Sequence, residues 1–237
     1  MIVKTKAIVL RTIKFKDTGL IVKCYTEEGL KSYIIKGVLG SKKSKFKIAY
    51  FQPLNLLEII ANHNNKGTLN SIREVRLSYA YSSVSNDIVK QSLVMFLAEV
   101  LNFSLKEEES NIALFNYLNT SLQWLDLHTN NANFHLIFLL KLTQYLGFYP
   151  QKKDLNSRYF DLQEGVFKSV KTLTSIEGKE ILIFKALLGT NFDDMQELKL
   201  NKKERQMGLE TLIGYFELHL SGFRKLNSLP ILHTVFN

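Results

Sequence analysis

Cysteine is almost missing from this chain of 237 residues, where Cys24 stands alone. One thiol cannot close an internal disulfide or build a cysteine-rich metal site. A reduced, cytoplasmic compartment is the expectation. Long apolar runs are missing as well. The most apolar helical stretch has its longest unbroken run at Leu136–Leu140, far short of the roughly 20 residues that a bilayer-spanning helix needs. The opening Met1-Ile2-Val3-Lys4-Thr5-Lys6 lacks the basic-then-apolar order and the small-residue cleavage site of a signal peptide. Neither of the common glycine-rich phosphate loops occurs, and the chain has no internal repeat, low-complexity tract or heptad series. The histidines at 63, 128, 135, 219 and 233 show no metal-ligand spacing. Glu107-Glu108-Glu109 and Asp193-Asp194 read as solvated charge. Nothing in the sequence assembles a catalytic constellation, and no cofactor or metal is expected.

What is present is an ordinary globular composition, 46% hydrophobic and 22% charged, with an unusual placement of charge. The net charge is +9. Residues 1–80 hold fifteen Lys/Arg against five Asp/Glu, so the whole excess lies in the first third of the chain. Such asymmetry points either to a polyanion partner or to a basic domain that is merely soluble.

The same first third reads as strands. Val3–Phe15, Leu20–Thr26, Leu30–Val38, Asn55–Ala61 and Thr68–Leu77 carry apolar and β-branched residues, separated by turn chemistry at Asp17-Thr18-Gly19, Glu27-Glu28-Gly29 and Asn62–Gly67. Alternation is clear in the second and third strands. Five short strands over this length suit a small closed barrel, OB-fold or SH3-like. Beyond Ser82–Ser85 the period becomes helical. Helices are expected over Ile88–Leu105, Asn111–Leu127 with Ser110 as cap, Phe134–Phe148 as a buried central helix, a stretch ending at Leu188 with a Thr174/Glu177 capping box, and Lys202–Leu220. Gln151–Val170 is mixed, with room for a hairpin at Glu164-Gly165. The expected architecture is therefore α+β: a five-stranded β-barrel over 1–80 and a helical domain over 81–237.

The basic part interleaves cations with rings. Lys23 and Tyr25 share a strand face, as do Lys31 and Tyr33, and Lys42, Lys43, Lys45 and Lys47 surround Phe46 in the segment after Gly40. Single-stranded nucleic acid is bound by this mixture, cations replacing counterions on phosphates and flat rings stacking on bases. The same tyrosines also serve as ordinary cross-strand partners. The lysine run gains nothing from folding and is the stronger signal. With Lys6, Arg11, Lys14, Lys36, Arg73 and Arg76, these residues form the expected nucleic-acid surface. A metal-dependent nuclease and an RNA-binding OB protein stand beside DNA binding as alternatives.

The run Lys36-Gly37-Val38-Leu39-Gly40-Ser41-Lys42-Lys43-Ser44-Lys45, followed by Phe51-Gln52-Pro53-Leu54, resembles the corresponding stretch of the RecO family of DNA repair proteins. So do Lys6-Ala7-Ile8-Val9-Leu10-Arg11 leading to Asp17-Thr18-Gly19, and the helix ending Leu146-Gly147-Phe148-Tyr149-Pro150. The resemblance implies an N-terminal OB-fold and a C-terminal helical domain. It implies a non-catalytic recombination mediator that binds single- and double-stranded DNA, anneals complementary strands and helps place RecA on DNA coated by single-strand-binding protein. The implied partners are RecR and the acidic C-terminal tail of that coating protein. The tail is expected on the helical domain, in an apolar pocket with a cation at its rim, Lys141 being the first candidate and His135 the second. Many members carry a four-cysteine zinc module after the Gly-x-x-Pro region. Gln151–Val170 contains no cysteine here, so no structural zinc is expected.

Overall fold

The computed structural model describes residues 1–40, 46–64, 69–106, 109–129 and 132–236. The chain divides into two compact units, Met1–Leu127 and His128–Asn237.

The first unit opens with five strands: β1 (Ile2–Phe15), β2 (Gly19–Thr26), β3 (Gly29–Ile35), β4 (Leu56–Asn62) and β5 (Asn70–Tyr79). They close into a barrel in the order β1-β2-β3-β5-β4. β1 is long enough to serve two neighbours. Its first half pairs with β4 and its second half with β2, and a register shift between Val9 and Arg11 turns the strand from one to the other. Closure removes the exposed sheet edges that would otherwise invite aggregation. Ala7, Val9, Val22, Cys24, Tyr33 and Ile59 are among the residues that fill the interior.

Two helices complete this unit, α1 (Ile88–Ser104) and α2 (Ile112–Leu127). They cover part of the barrel's outside. α1 packs on β1, and the Phe115 ring of α2 stacks on Tyr25 with centroids 6.5 Å apart. α1 starts at Asp87, whose carboxylate accepts from the N–H groups of Val89 and Lys90. For α2 the expected cap Ser110 is replaced by its neighbour. Asn111 Oδ1 accepts from Leu114 N at 2.9 Å, while the Ser110 hydroxyl donates to Glu27 O at 2.6 Å.

The end of α2 is tied to the segment after β5 by a buried carboxylate. Asp126 Oδ1 accepts from the N–H groups of Ser83 (2.8 Å) and Val84 (3.1 Å), and Oδ2 from Ser82 N (2.9 Å) and the Tyr79 hydroxyl (2.9 Å). The Ser82 and Ser83 hydroxyls add bonds at 3.0 Å each. Buried Lys90 donates to Ser83 Oγ (2.6 Å) and Asp126 O (2.8 Å). Burial alone would raise the Asp126 carboxyl. The backbone donors and Tyr79 outweigh it and hold the group well below the usual range.

The second unit is built on α3 (Phe134–Tyr145), whose residues Phe134–Leu140 are all buried. α4 (Gly178–Gly189) and α5 (Lys202–His219) pack on it. α3 is shorter than its apolar pattern, because Leu146 caps it and Gly147 takes a left-handed φ of 85°. The expected hairpin is present as β6 (Tyr159–Asp161) and β7 (Val166–Lys168), and β8 (Ser175–Ile176) joins β6 on the other side. Gly165 makes the turn at φ 67°, where a Cβ would lie 2.6 Å from the Tyr215 hydroxyl.

Asp161 organises this small sheet. Its buried carboxylate accepts from Lys168 Nζ (2.9 Å), the hydroxyls of Thr172 (2.9 Å) and Thr174 (2.8 Å), and Gln163 N (3.0 Å). Thr174 is thereby taken from the expected capping box, and Glu177 pairs with Lys171 instead. The Asp161 network and the packing of Phe160 on Phe167 and Phe184 hold the segment that lacks cysteines. α5 has a capping box between Asn201 and Glu204, and a short α6 (Leu229–Val235) follows it.

Candidate nucleic-acid interface

Among the described residues, the two ends of the barrel differ in charge. At one end the β2–β3 turn carries Glu27 and Glu28. Glu27 accepts from Lys6 N at 3.0 Å, and Glu28 Oε2 lies 3.0 Å from His63 Nδ1. The other imidazole nitrogen of His63 meets the Tyr33 hydroxyl at 2.8 Å.

The opposite end carries the exposed Lys14, Lys16 and Lys36 with one exposed acid, Asp17. Lys14 pairs with Leu20, and Leu20 with Ile35, so Lys14 sits in one row with the end of β3. Lys36 follows Ile35 directly. Lys16 occupies the β1–β2 turn at φ 52°, its ammonium 5.5 Å from the Phe15 ring centre. The segment after β3 is pinned onto this turn by a hydrogen bond from Leu39 N to Thr18 O, 3.0 Å. Gly40 makes the approach possible, since a Cβ there would stand 2.6 Å from Thr18 Cγ2. Lys14, Lys16 and Lys36 are all exposed. The lysine run leaves from Gly40. Lys42, Lys43 and Lys45 lie outside the described residues, and Lys47 is exposed where the chain returns to the barrel.

Several expected residues stand elsewhere. Tyr25 and Tyr33 are buried, Tyr25 under α2 and Tyr33 in the barrel interior, so neither ring can stack on a base. The alternation placed Tyr33 on one face but did not say that this face was the inner one. Phe46 is half-buried and packs edge-on against Phe51 at 6.4 Å. Lys23 is tied to α1, donating to Asn102 O at 3.0 Å and Oδ1 at 3.1 Å. Burial, then the neighbouring Arg11, lower its pKa. Lys31 is half-buried.

Lys6, Glu58 and Arg76 form a row across β1, β4 and β5. Glu58 accepts from Arg76 Nη2 at 2.6 Å and Lys4 Nζ at 3.3 Å, which uses part of that positive charge within the fold. Arg11 and Arg73 are exposed. Lys4 and Lys16 were not singled out in the sequence. Lys16 could have been, because it opens the turn Asp17-Thr18-Gly19.

In the second unit, Lys141 donates to Asn191 Oδ1 at 2.8 Å on the surface. His135 lines a cavity of about 30 Å³ together with Lys202, Arg205, Leu209, His233 and Phe236. Its ring lies 5.4 Å from that of Phe236. Burial, then Arg205 and His233, push the imidazole down to about 3. Lys141 is not among the residues that line this cavity.

Two family profiles match nearly the whole chain. The recombination protein O N-terminal profile covers residues 1–81, and the recombination protein O C-terminal profile covers residues 85–230. The chain belongs to the recombination protein O family. Curated relatives named DNA repair protein RecO agree with it end to end. Those of Flavobacterium psychrophilum, Flavobacterium johnsoniae and Christiangramia forsetii are 46%, 45% and 44% identical, each covering all of both chains. The barrel and helices match the expected OB-fold and helical regions of this family. The two profiles meet near residue 81, whereas the compact unit that contains the barrel continues through α2. No described helix is long and apolar enough to cross a membrane. Among the described residues, no three His, Cys, Asp or Glu side chains gather as a metal site would require.

Proposed function

We propose that this chain is a non-catalytic recombination mediator. It binds single- and double-stranded DNA, anneals complementary strands coated with single-strand-binding protein, and assists RecA loading with RecR. The observation that carries the reading is the barrel end where the exposed Lys14, Lys16 and Lys36 lie on the β1–β2 turn and the end of β3. Among the described residues these ammonium groups make no salt bridge, which suits them to phosphate neutralisation and counterion release. Family membership supports the same reading. A nuclease or an RNA-binding protein is the competing outcome. Annealing of pre-coated complementary strands without added metal tests it. Magnesium-dependent cleavage, or a preference for RNA over DNA of matched sequence, would replace it.

The pocket around His135 suits the acidic tail of the coating protein. Leu209 and Phe236 offer apolar surface for a terminal side chain and Arg205 and Lys202 offer cations for its carboxylates, and the cavity of about 30 Å³ would have to widen to admit that side chain. This moves the favoured residue from Lys141 to the rim of the His135 cavity. Titration of a labelled tail peptide into the full chain should show saturable binding weakened about tenfold by Arg205→Glu and unchanged by Lys141→Glu. The reverse pattern would return the site to Lys141.

A further inference from the structure

A second concavity lies within the first unit, between the end of β5, the segment after the short 3-10 turn at Ile48–Phe51, and α1. Its volume is about 460 Å³, and no lining residue is charged. Two rings stand in its wall. Tyr79 and Tyr81 meet edge to face with centroids 5.6 Å apart at 74°. Both hydroxyls are anchored, Tyr79 to Asp126 Oδ2 (2.9 Å) and Tyr81 to Leu54 O (2.7 Å). The rings are therefore fixed platforms. Leu77 and Met95 of the lining are 40% and 50% exposed, an apolar surface open to a ligand.

Polar recognition is available beside them. Asn55 spends its NH₂ group on Ala49 O (2.8 Å) and Tyr50 O (3.2 Å), which leaves its carbonyl oxygen to accept from a ligand. Gln91 likewise spends its NH₂ on Ser85 O at 2.7 Å. An acidic peptide would find no cation in this wall. A flat, neutral, hydrogen-bonding group attached to an anionic chain matches it better. The exposed Lys47 stands two positions before Ala49 of the wall, which brings one cation close to the groove.

We infer that this groove takes an unstacked nucleobase of a single strand whose phosphates lie on the basic barrel end. The inference rests on the DNA-binding reading. It gives the protein a base-holding subsite that the buried Tyr25 and Tyr33 cannot supply. Base–aromatic contacts of this type contribute about tenfold or more to affinity.

The test compares a single-stranded oligonucleotide with the same backbone made abasic, using the full chain and a groove-filled variant, Ala49→Leu with Ala80→Leu. Both alanines are exposed and line the groove, so the variant should fold, and an unchanged urea midpoint checks this. The wild type should bind the base-bearing strand about tenfold tighter than the abasic one. The filled variant should lose that preference while keeping its affinity for the abasic strand. Equal binding of both strands by the wild type overturns the inference and leaves the DNA-binding reading intact. A preference retained in the filled variant overturns it as well, because the bases are then held elsewhere. A filled variant that keeps its DNA preference but loses the acidic tail peptide assigns the groove to the peptide and overturns the inference. Failure of the wild type to bind either strand removes the DNA-binding reading along with it.

Discussion

Asp126→Asn should destabilise the first unit more than any surface change. The substitution keeps size and shape and converts one acceptor oxygen into an NH₂ group. Oδ1 serves two backbone N–H groups, Ser83 and Val84, and Oδ2 serves one, Ser82. The amide will therefore place its oxygen at the Oδ1 position and leave Ser82 N–H facing another donor. One stranded buried N–H costs about 1–3 kcal/mol. The surviving bonds lose their charge assistance. Buried Lys90, whose ammonium bonds Asp126 O at 2.8 Å, loses its nearby carboxylate. Together the cost should be about 3–5 kcal/mol, a large part of the roughly 5–15 kcal/mol that holds a domain folded. Trp124, the only tryptophan, lies in α2 beside the network, so its fluorescence reports this unit. At a slope of about 2 kcal/mol per molar urea, the midpoint should fall by roughly 2 M with the slope unchanged. The folded carboxyl is held below its unfolded value. Its stabilisation is therefore complete above about pH 4 and is lost as acidification proceeds through the folded value, a limb that the variant should lack. A midpoint within about 0.3 M of wild type, well inside the shift expected from the slope, would refute this reasoning.

Further perturbations probe the second unit. Asp161→Asn should speed amide exchange across Tyr159–Ile176 by about 100-fold, from a local loss near 3 kcal/mol; unchanged exchange there would mean that Asp161 does not organise the sheet. His135 is held near 3 in the folded state, so the unfolded chain binds the extra proton below about pH 6.5 and stability must fall on acidification. Between pH 7 and pH 5 the loss should be about 2 kcal/mol. His135→Leu should flatten that dependence, and a slope equal to that of wild type would contradict the assignment.

The barrel was legible because its strands alternate and its turns use Asp-Thr-Gly and Glu-Glu-Gly. α3 was legible because almost every residue from Phe134 to Leu142 is apolar. The failures have physical causes too. A period of two shows which residues share a face, but not which face is inside. Tyr33 is polar enough to read as exposed, yet its hydroxyl is satisfied by His63, a partner 30 positions away. Tyr25 lies on the outer face, but α2 covers it, and one sequence gives no sign of that docking. Asp126, Lys90 and Asp161 look like ordinary surface charges in the sequence. Their burial depends on donors brought together only by folding. The cap of α2 went to Asn111 because Glu27 of the barrel claims the Ser110 hydroxyl.

The central claim is that DNA is held by the lysines at the basic end of the barrel. Its most direct test is the salt dependence of single-strand binding by the chain carrying Lys14, Lys16, Lys36 and Lys47 changed together to Glu. Each lost phosphate contact should lower the slope of log affinity against log salt by about 0.7, so four should lower it by roughly 3. The loss of affinity should be the same for all sequences, with thermal stability retained because these side chains are exposed. An affinity and slope equal to those of wild type, in a folded variant, would contradict the claim.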